Sequence, residues 1–161
     1  MIPKPDGSMR FCVDYRPLNK ITLQDPFPLP RVDDIVESVA EGIYFSLLDV
    51  KQCFWQLLFH PKTAEKTSFR TQDGQYQFKR LPFGLKNAPA ACARMIQTIL
   101  GDLPFVKAYA DDICIFSKSF SEHIEHLLIA FDRLIQANLK LNLKMSILSD
   151  NFTCLGSCSL K

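Results

Sequence analysis

The stretch from Phe105 to Ser117, FVKAYADDICIFS, constrains the fold more than any other. Apolar, β-branched and aromatic residues flank two adjacent aspartates, Asp111 and Asp112. Such runs around a short polar break predict a β-hairpin in an otherwise buried sheet. The turn then lifts two carboxylates to the sheet edge. Adjoining carboxylates repel, and burying either is costly without a positive partner. A hard divalent cation such as Mg²⁺ suits them, because it takes oxygen ligands and often only one or two carboxylates. A solvated Asp-Asp turn is the plain alternative for the pair taken alone.

The chain has 161 residues, enough for one domain with a proper core, and 47% hydrophobic content suits a globular protein. A net charge of +2 is too mild to argue nucleic-acid binding by itself. Most of the six cysteines lie in apolar runs, where a free thiol acts as a small hydrophobe. Cys154 and Cys158 have no second Cys/His pair to complete a zinc site. No signal peptide or membrane span is visible, so an intracellular location, in a cytoplasmic particle or the nucleus, is expected.

Residues 1–30 hold six of the ten prolines. Met9–Tyr15 reads as a strand and Asp25–Pro30 as an extended crossing segment. Val32, Ile35, Val36 and Val39 have helical spacing, with Gly42 just beyond. Tyr44–Val50 is a nearly continuous apolar run ending in one acid, Asp49, the pattern of a buried strand. Asp73-Gly74 predicts a hairpin between Thr67–Thr71 and Tyr76–Leu81. Asn87 and Gly101 bracket a predicted helix over about Ala88–Leu100. Ser119 and Glu122 form a capping box before a helix whose apolar face holds Ile124, Leu127, Leu128, Phe131, Leu134 and Ile135. Leu139–Leu143 and Phe152–Leu155 read as short strands. This order predicts an α+β fold, an antiparallel sheet with helices packed on one face.

Asp49 and the Asp111/Asp112 pair both lie where an apolar strand meets a turn. If those strands are neighbours, three acids converge on one sheet edge. Three acids can hold two Mg²⁺ about 3.5–4 Å apart, the arrangement that serves phosphoryl transfer.

In their order, these motifs resemble the reverse transcriptase of Ty3/gypsy-like long-terminal-repeat retrotransposons, nearly end to end. PKPDGSMRFCVDYRPLNK (3–20) is similar to the fingers strands and DPFPLPRVDDI (25–35) to the fingers–palm link. FSLLDVKQCFWQL (45–57) resembles the first catalytic motif. KTSFRTQDGQYQFKRLPFGLKNAPA (66–90) resembles the region supporting template and nucleotide. YADD (109–112) resembles the catalytic hairpin, and CLG (154–156) the primer grip.

The resemblance implies an RNA-directed DNA polymerase, a nucleotidyltransferase adding deoxynucleotides to a primer 3′-OH on an RNA or DNA template. It implies two Mg²⁺ ions, with Mn²⁺ able to substitute, held by Asp49, Asp111, Asp112 and the Val50 carbonyl. It places Phe54 beneath the sugar, where its ring leaves no room for a 2′-OH. That argues against an RNA-templated RNA polymerase. It places Lys4 and Arg10 on the triphosphate, and Phe83 and Gly84 beside nucleotide and template. Tyr109, Ala110, Leu155 and Gly156 fall at the primer, and Lys144 is a candidate proton donor to pyrophosphate. The implied organisation is a polymerase palm over about 31–59 and 86–161, with partial fingers over 1–30 and about 60–85. Thumb, connection and RNase H are expected to be absent, with downstream Pol domains as partners and no membrane. The chain departs from the family pattern at Ala110, usually a larger aliphatic. It departs also at Cys53, usually glycine, at Cys92, usually aromatic, and at Met145 and Ser157. A glycine replaced at position 53 predicts backbone strain if φ there is positive. The competing reading is an inactive retrotransposon remnant that keeps the palm fold and binds nucleic acid weakly.

Overall fold

A computed structural model of the chain describes residues 2–3, 7, 9–28 and 30–149, with backbone alone at 2–3, 9–10, 32 and 143–149. The chain divides into two compact units, 1–29 with 52–95, and 30–51 with 96–161. In the first, β1 (Ile2–Pro3) pairs antiparallel with β2 (Met9–Arg10), so the strand expected over Met9–Tyr15 is much shorter. Residues 11–15 are irregular, and a helix, α1 (Arg16–Ile21), follows them, with Pro17 in the first turn, where a missing N–H costs nothing. The second unit opens with α2 (Val32–Val39), which buries Ile35 and Val39 one turn apart.

The apolar run Tyr44–Val50 forms β3, one of two interior strands of a four-stranded sheet. Two short helices missed by apolar spacing follow in the first unit, α3 (Cys53–Gln56) and α4 (Pro61–Ala64). A 3₁₀ turn leads into a hairpin of β4 (Phe69–Thr71) and β5 (Gly74–Tyr76). The hairpin expected to reach Leu81 stops at Tyr76. Backbone bonds instead tie Phe59 to Lys79 (3.0 Å) and Leu81 to Leu57 (3.0 Å), and the Phe78 N–H donates to the Thr67 hydroxyl.

Helix α5 (Ala88–Leu100) starts after Asn87 as expected and passes from one unit into the other. Strands β6 (Val106–Tyr109) and β7 (Asp112–Ser117) and helix α6 (Phe120–Gln136) follow. The last element, β8 (Leu141–Ser149), runs well beyond the expected Leu143. The sheet order is β6-β7-β3-β8, antiparallel throughout.

Strand alternation divides the sheet into two faces. Ser46, Leu48 and Val50 of β3 and Ile113, Ile115 and Ser117 of β7 are buried on one face, which α6 covers. Half of the expected capping box forms, with Ser119 accepting from the Glu122 N–H at 3.3 Å; the Glu122 carboxylate accepts from the Lys118 N–H instead of from that of the cap residue. The buried stripe of α6 is narrower than its apolar arc. It takes His123, Leu127, Ala130 and Leu134, while Ile124, Leu128 and Ile135, expected inside, are exposed. His123 belongs inside because both ring nitrogens are bonded, Nε2 to Ser46 Oγ (2.8 Å) and Nδ1 to Ser117 Oγ (2.9 Å). Ahead of β3, Gly42 suits close packing, since a Cβ there would lie 2.9 Å from the Phe45 ring.

Cys53 and Cys92, expected as free thiols, form a disulfide within the first unit. The predicted strain at Cys53 is absent: Cys53 begins α3, and the left-handed residue is its neighbour Gln52, at φ 49°. Cys154, Cys158, Ser157 and the strand expected over Phe152–Leu155 lie outside the described residues.

Candidate active site

Strand register brings Asp49 and Asp112 together. β3 and β7 pair so that Asp49 stands directly opposite Asp112. Opposed residues in an antiparallel pair project from the same face. That face is the one away from α6, shared with Leu47, Cys114 and, across β6, Tyr109. Asp112 was expected in the turn beside Asp111 but is the first residue of β7, and Tyr109↔Asp112 closes a two-residue turn of Ala110 and Asp111. Asp111 is held against β3 by its own carbonyl, which accepts from the Val50 N–H at 3.0 Å.

Ala110 takes the first turn position at φ 55°, and only that central residue has positive φ. This is the pattern of a II′ turn, where glycine is the usual choice. A side chain there carries a backbone cost of order 1 kcal/mol.

The Asp112 carboxyl is raised above its ordinary value. Loss of surrounding water is the largest cause, followed by the charges of Asp111 and Asp49. Asp112 therefore senses both of the other carboxylates. Among the described residues, no three His, Cys, Asp or Glu side chains are grouped so as to hold a metal ion by themselves. Asp49 Oδ2 accepts a hydrogen bond from Asn142 Nδ2 at 2.6 Å.

Of the residues expected around the nucleotide, Phe54 and Phe83 meet edge to face, ring centroids 5.3 Å apart. Trp55 packs against Phe83 and Phe78. Gly84 has φ 91°, a conformation that side chains rarely adopt. Its carbonyl accepts from Asn19 Nδ2 at 2.7 Å, and Asn19 Oδ1 accepts from the Lys86 N–H at 2.8 Å. Asn87 extends this clamp, donating to the Leu23 carbonyl (2.8 Å) and accepting from the Asp25 N–H (3.1 Å). Arg94 closes it through Asp25 at 2.7 Å. Asn19, Gln52 and Asn142 carried no motif signal that singled them out. Lys4, Leu155 and Gly156 lie outside the described residues, and Arg10 and Lys144 are described by backbone alone.

No helix among the described residues is long and apolar enough to cross a membrane. A family model described as Reverse transcriptase (RNA-dependent DNA polymerase) matches residues 2–157. The chain is 40% identical over 146 residues to the retrovirus-related Pol polyprotein from transposon 297 of Drosophila melanogaster, covering 87% of this chain and 14% of that protein. It is 38% identical over 125 residues to an RNA-directed DNA polymerase homolog of Oenothera berteroana, covering 74% of this chain and 88% of the relative. Among solved structures, the foamy viral protease-reverse transcriptase in complex with RNA/DNA hybrid superposes with a TM-score of 0.85 at 29% identity, over 96% of this chain and 21% of that one. The chain thus spans a small part of the Drosophila polyprotein it matches.

Proposed function

The chain belongs to the reverse transcriptase (RNA-dependent DNA polymerase) family, and we propose that it is the catalytic core of an RNA-directed DNA polymerase. In this reading it adds deoxynucleotides to a primer 3′-OH on an RNA or DNA template. The observation that carries the reading is the register Asp49↔Asp112, with Asp111 in the adjoining turn. A substrate-facing acid cluster requires this placement, on the sheet face away from α6.

The donor set fits Mg²⁺. Asp49, Asp111, Asp112 and the Val50 carbonyl offer only hard oxygens, and the Asp112 carboxyl is raised by loss of water first and by the charges of Asp111 and Asp49 second. These residues would hold two ions, with substrate phosphates and water completing the coordination that three carboxylates leave open. Bound there, the ions would activate the attacking oxygen and stabilise the leaving one. The chain's own groups orient: the hairpin fixes Asp111 and Asp112, and Tyr109, on the same face as Asp112, supports the primer end. Phe54, braced by Phe83, restricts the sugar to deoxyribose, and the Asn19–Gly84–Asn87 clamp holds the loop beside it. The foamy viral protease-reverse transcriptase is described in complex with RNA/DNA hybrid and double-stranded DNA, which favours the same class of partner here. We assign fingers to 1–30 and about 60–85 and palm to about 31–59 and 86–161; the palm segments 52–59 and 86–95 belong to the same compact unit as the fingers. Downstream Pol domains, a thumb above all, are the expected covalent partners.

The test is primer extension by the chain joined to a thumb segment from a relative. Wild type should extend in Mg²⁺, and Asp111→Asn should reduce the rate by about 10²–10³-fold or more, the scale of an essential catalytic electrostatic contact. Equal rates would refute the assignment, and no extension by either would favour an inactive remnant.

A further inference from the structure

Register beside Asp49 carries one more inference. From Tyr44↔Ser149 to Leu48↔Met145 the β3–β8 ladder steps one residue for one. The next pair is Val50↔Leu141, so Asp49 alone faces three residues of β8, 142–144. The Lys51 N–H to Lys140 carbonyl bond, 3.0 Å, pins the strands again immediately beyond. An unbroken ladder would have set residue 144 opposite Asp49. The shift instead lets Asn142 reach it, Nδ2 to Oδ2 at 2.6 Å, in a partly buried contact. Bulges are a known means of re-aiming a side chain near a site.

Resting on the reading of Asp49 as a metal-holding acid, we propose that Asn142 is a positioning residue for it. A carboxylate has two oxygens and about four lone-pair sites. An amide N–H occupies one of them and fixes the rotation of the group, leaving Oδ1 and a second site on Oδ2 for a cation. A lysine or arginine in the same place would orient the carboxylate but would also compete with the cation for its charge. A neutral donor orients without neutralising. Groups that orient a ligand in this way typically contribute 10–100-fold to metal affinity or activity.

The experiment measures Mn²⁺ binding to the full chain by water-proton relaxation, with thermal unfolding as the check on folding. Asn142→Leu keeps the approximate shape and removes the donor. It should weaken Mn²⁺ binding by about tenfold or more, while Asn142→Gln, which retains an amide, should recover part of that loss. Asn142→Ala is read in the same way if the leucine variant does not fold. In the active, thumb-joined protein the Mg²⁺ concentration for half-maximal rate should rise in parallel, with the nucleotide KM at saturating Mg²⁺ unchanged. Wild-type affinity in both Asn142→Leu and Asn142→Ala would overturn the positioning role. If Asp49→Asn also leaves Mn²⁺ binding unchanged, or wild type binds none, it is the metal assignment itself that fails.

Discussion

Breaking the Cys53–Cys92 disulfide should cost this chain a large share of its stability. The pair is separated by 39 residues, and both cysteines are buried, at 3% and 1% exposure. The closed loop holds α3, α4, β4, β5 and the start of α5, all within one compact unit. In the chain-entropy account, a loop of this length removes about 13 cal/mol/K from the unfolded chain, or about 4 kcal/mol at 25 °C. For a protein of this size, about 4 kcal/mol corresponds to roughly 8–16 °C in melting temperature. The assay is urea and thermal unfolding of wild type, Cys53→Ala, Cys92→Ala and the double variant, each with and without reductant. The staple is lost once, so the three variants should fall by similar amounts and the double should be far from additive. Reductant should bring wild type down towards the double variant and leave that variant unchanged. Additive losses in the single variants, with no effect of reductant on wild type, would refute the loop-closure argument.

Asp112→Asn should stabilise the fold at neutral pH. The folded carboxyl is raised, so its stability contribution is present below the unfolded value of 3.8 and is lost as pH rises through the folded value. Urea unfolding at pH 7 checks this, and a lower midpoint for the variant contradicts it. His123 is lowered by burial first and His126 second. Its contribution is therefore present above the unfolded value of 6.5 and is lost as pH falls towards the folded one. Wild type should lose stability between pH 7 and 5, and His123→Gln, though less stable by about 1–3 kcal/mol from its two serine contacts, should lose less across that interval. A pH response unchanged by the variant would count against it. In active, thumb-joined protein, Phe54→Val should raise ribonucleotide over deoxyribonucleotide incorporation by about tenfold or more; an unchanged ratio in competition assays makes Phe54 a packing residue only.

The sheet was legible because three short apolar runs, Tyr44–Val50, Phe105–Ala110 and Ile113–Phe116, are rich in β-branched and aromatic residues and are bounded by polar turns, which favours strands over helices. The two long helices were legible from their ends, Asn87 and Gly101 for one and Ser119 with Glu122 for the other. What sequence alone missed depends on contacts between distant residues. The apolar arc of α6 is wider than the stripe the sheet accepts, and His123 enters that stripe only because Ser46 and Ser117 meet it. The Cys53–Cys92 pairing spans two apolar runs with no spacing cue. The β3–β8 shift that brings Asn142 to Asp49 appears only once both strands are placed. The apolar runs ending in acids suggested that the three aspartates converge, the family resemblance gave them a role, and register explains how Asp49 and Asp112 come to share a face.

The most direct measurement is single-nucleotide addition by the thumb-joined chain to a DNA primer on four RNA templates, differing only in the first unpaired base. Each should direct incorporation of its complementary deoxynucleotide, with Mg²⁺ required and Asp49→Asn, Asp111→Asn and Asp112→Asn each inactive or nearly so. Addition that ignores the template base, or that survives loss of these carboxylates, would contradict the account.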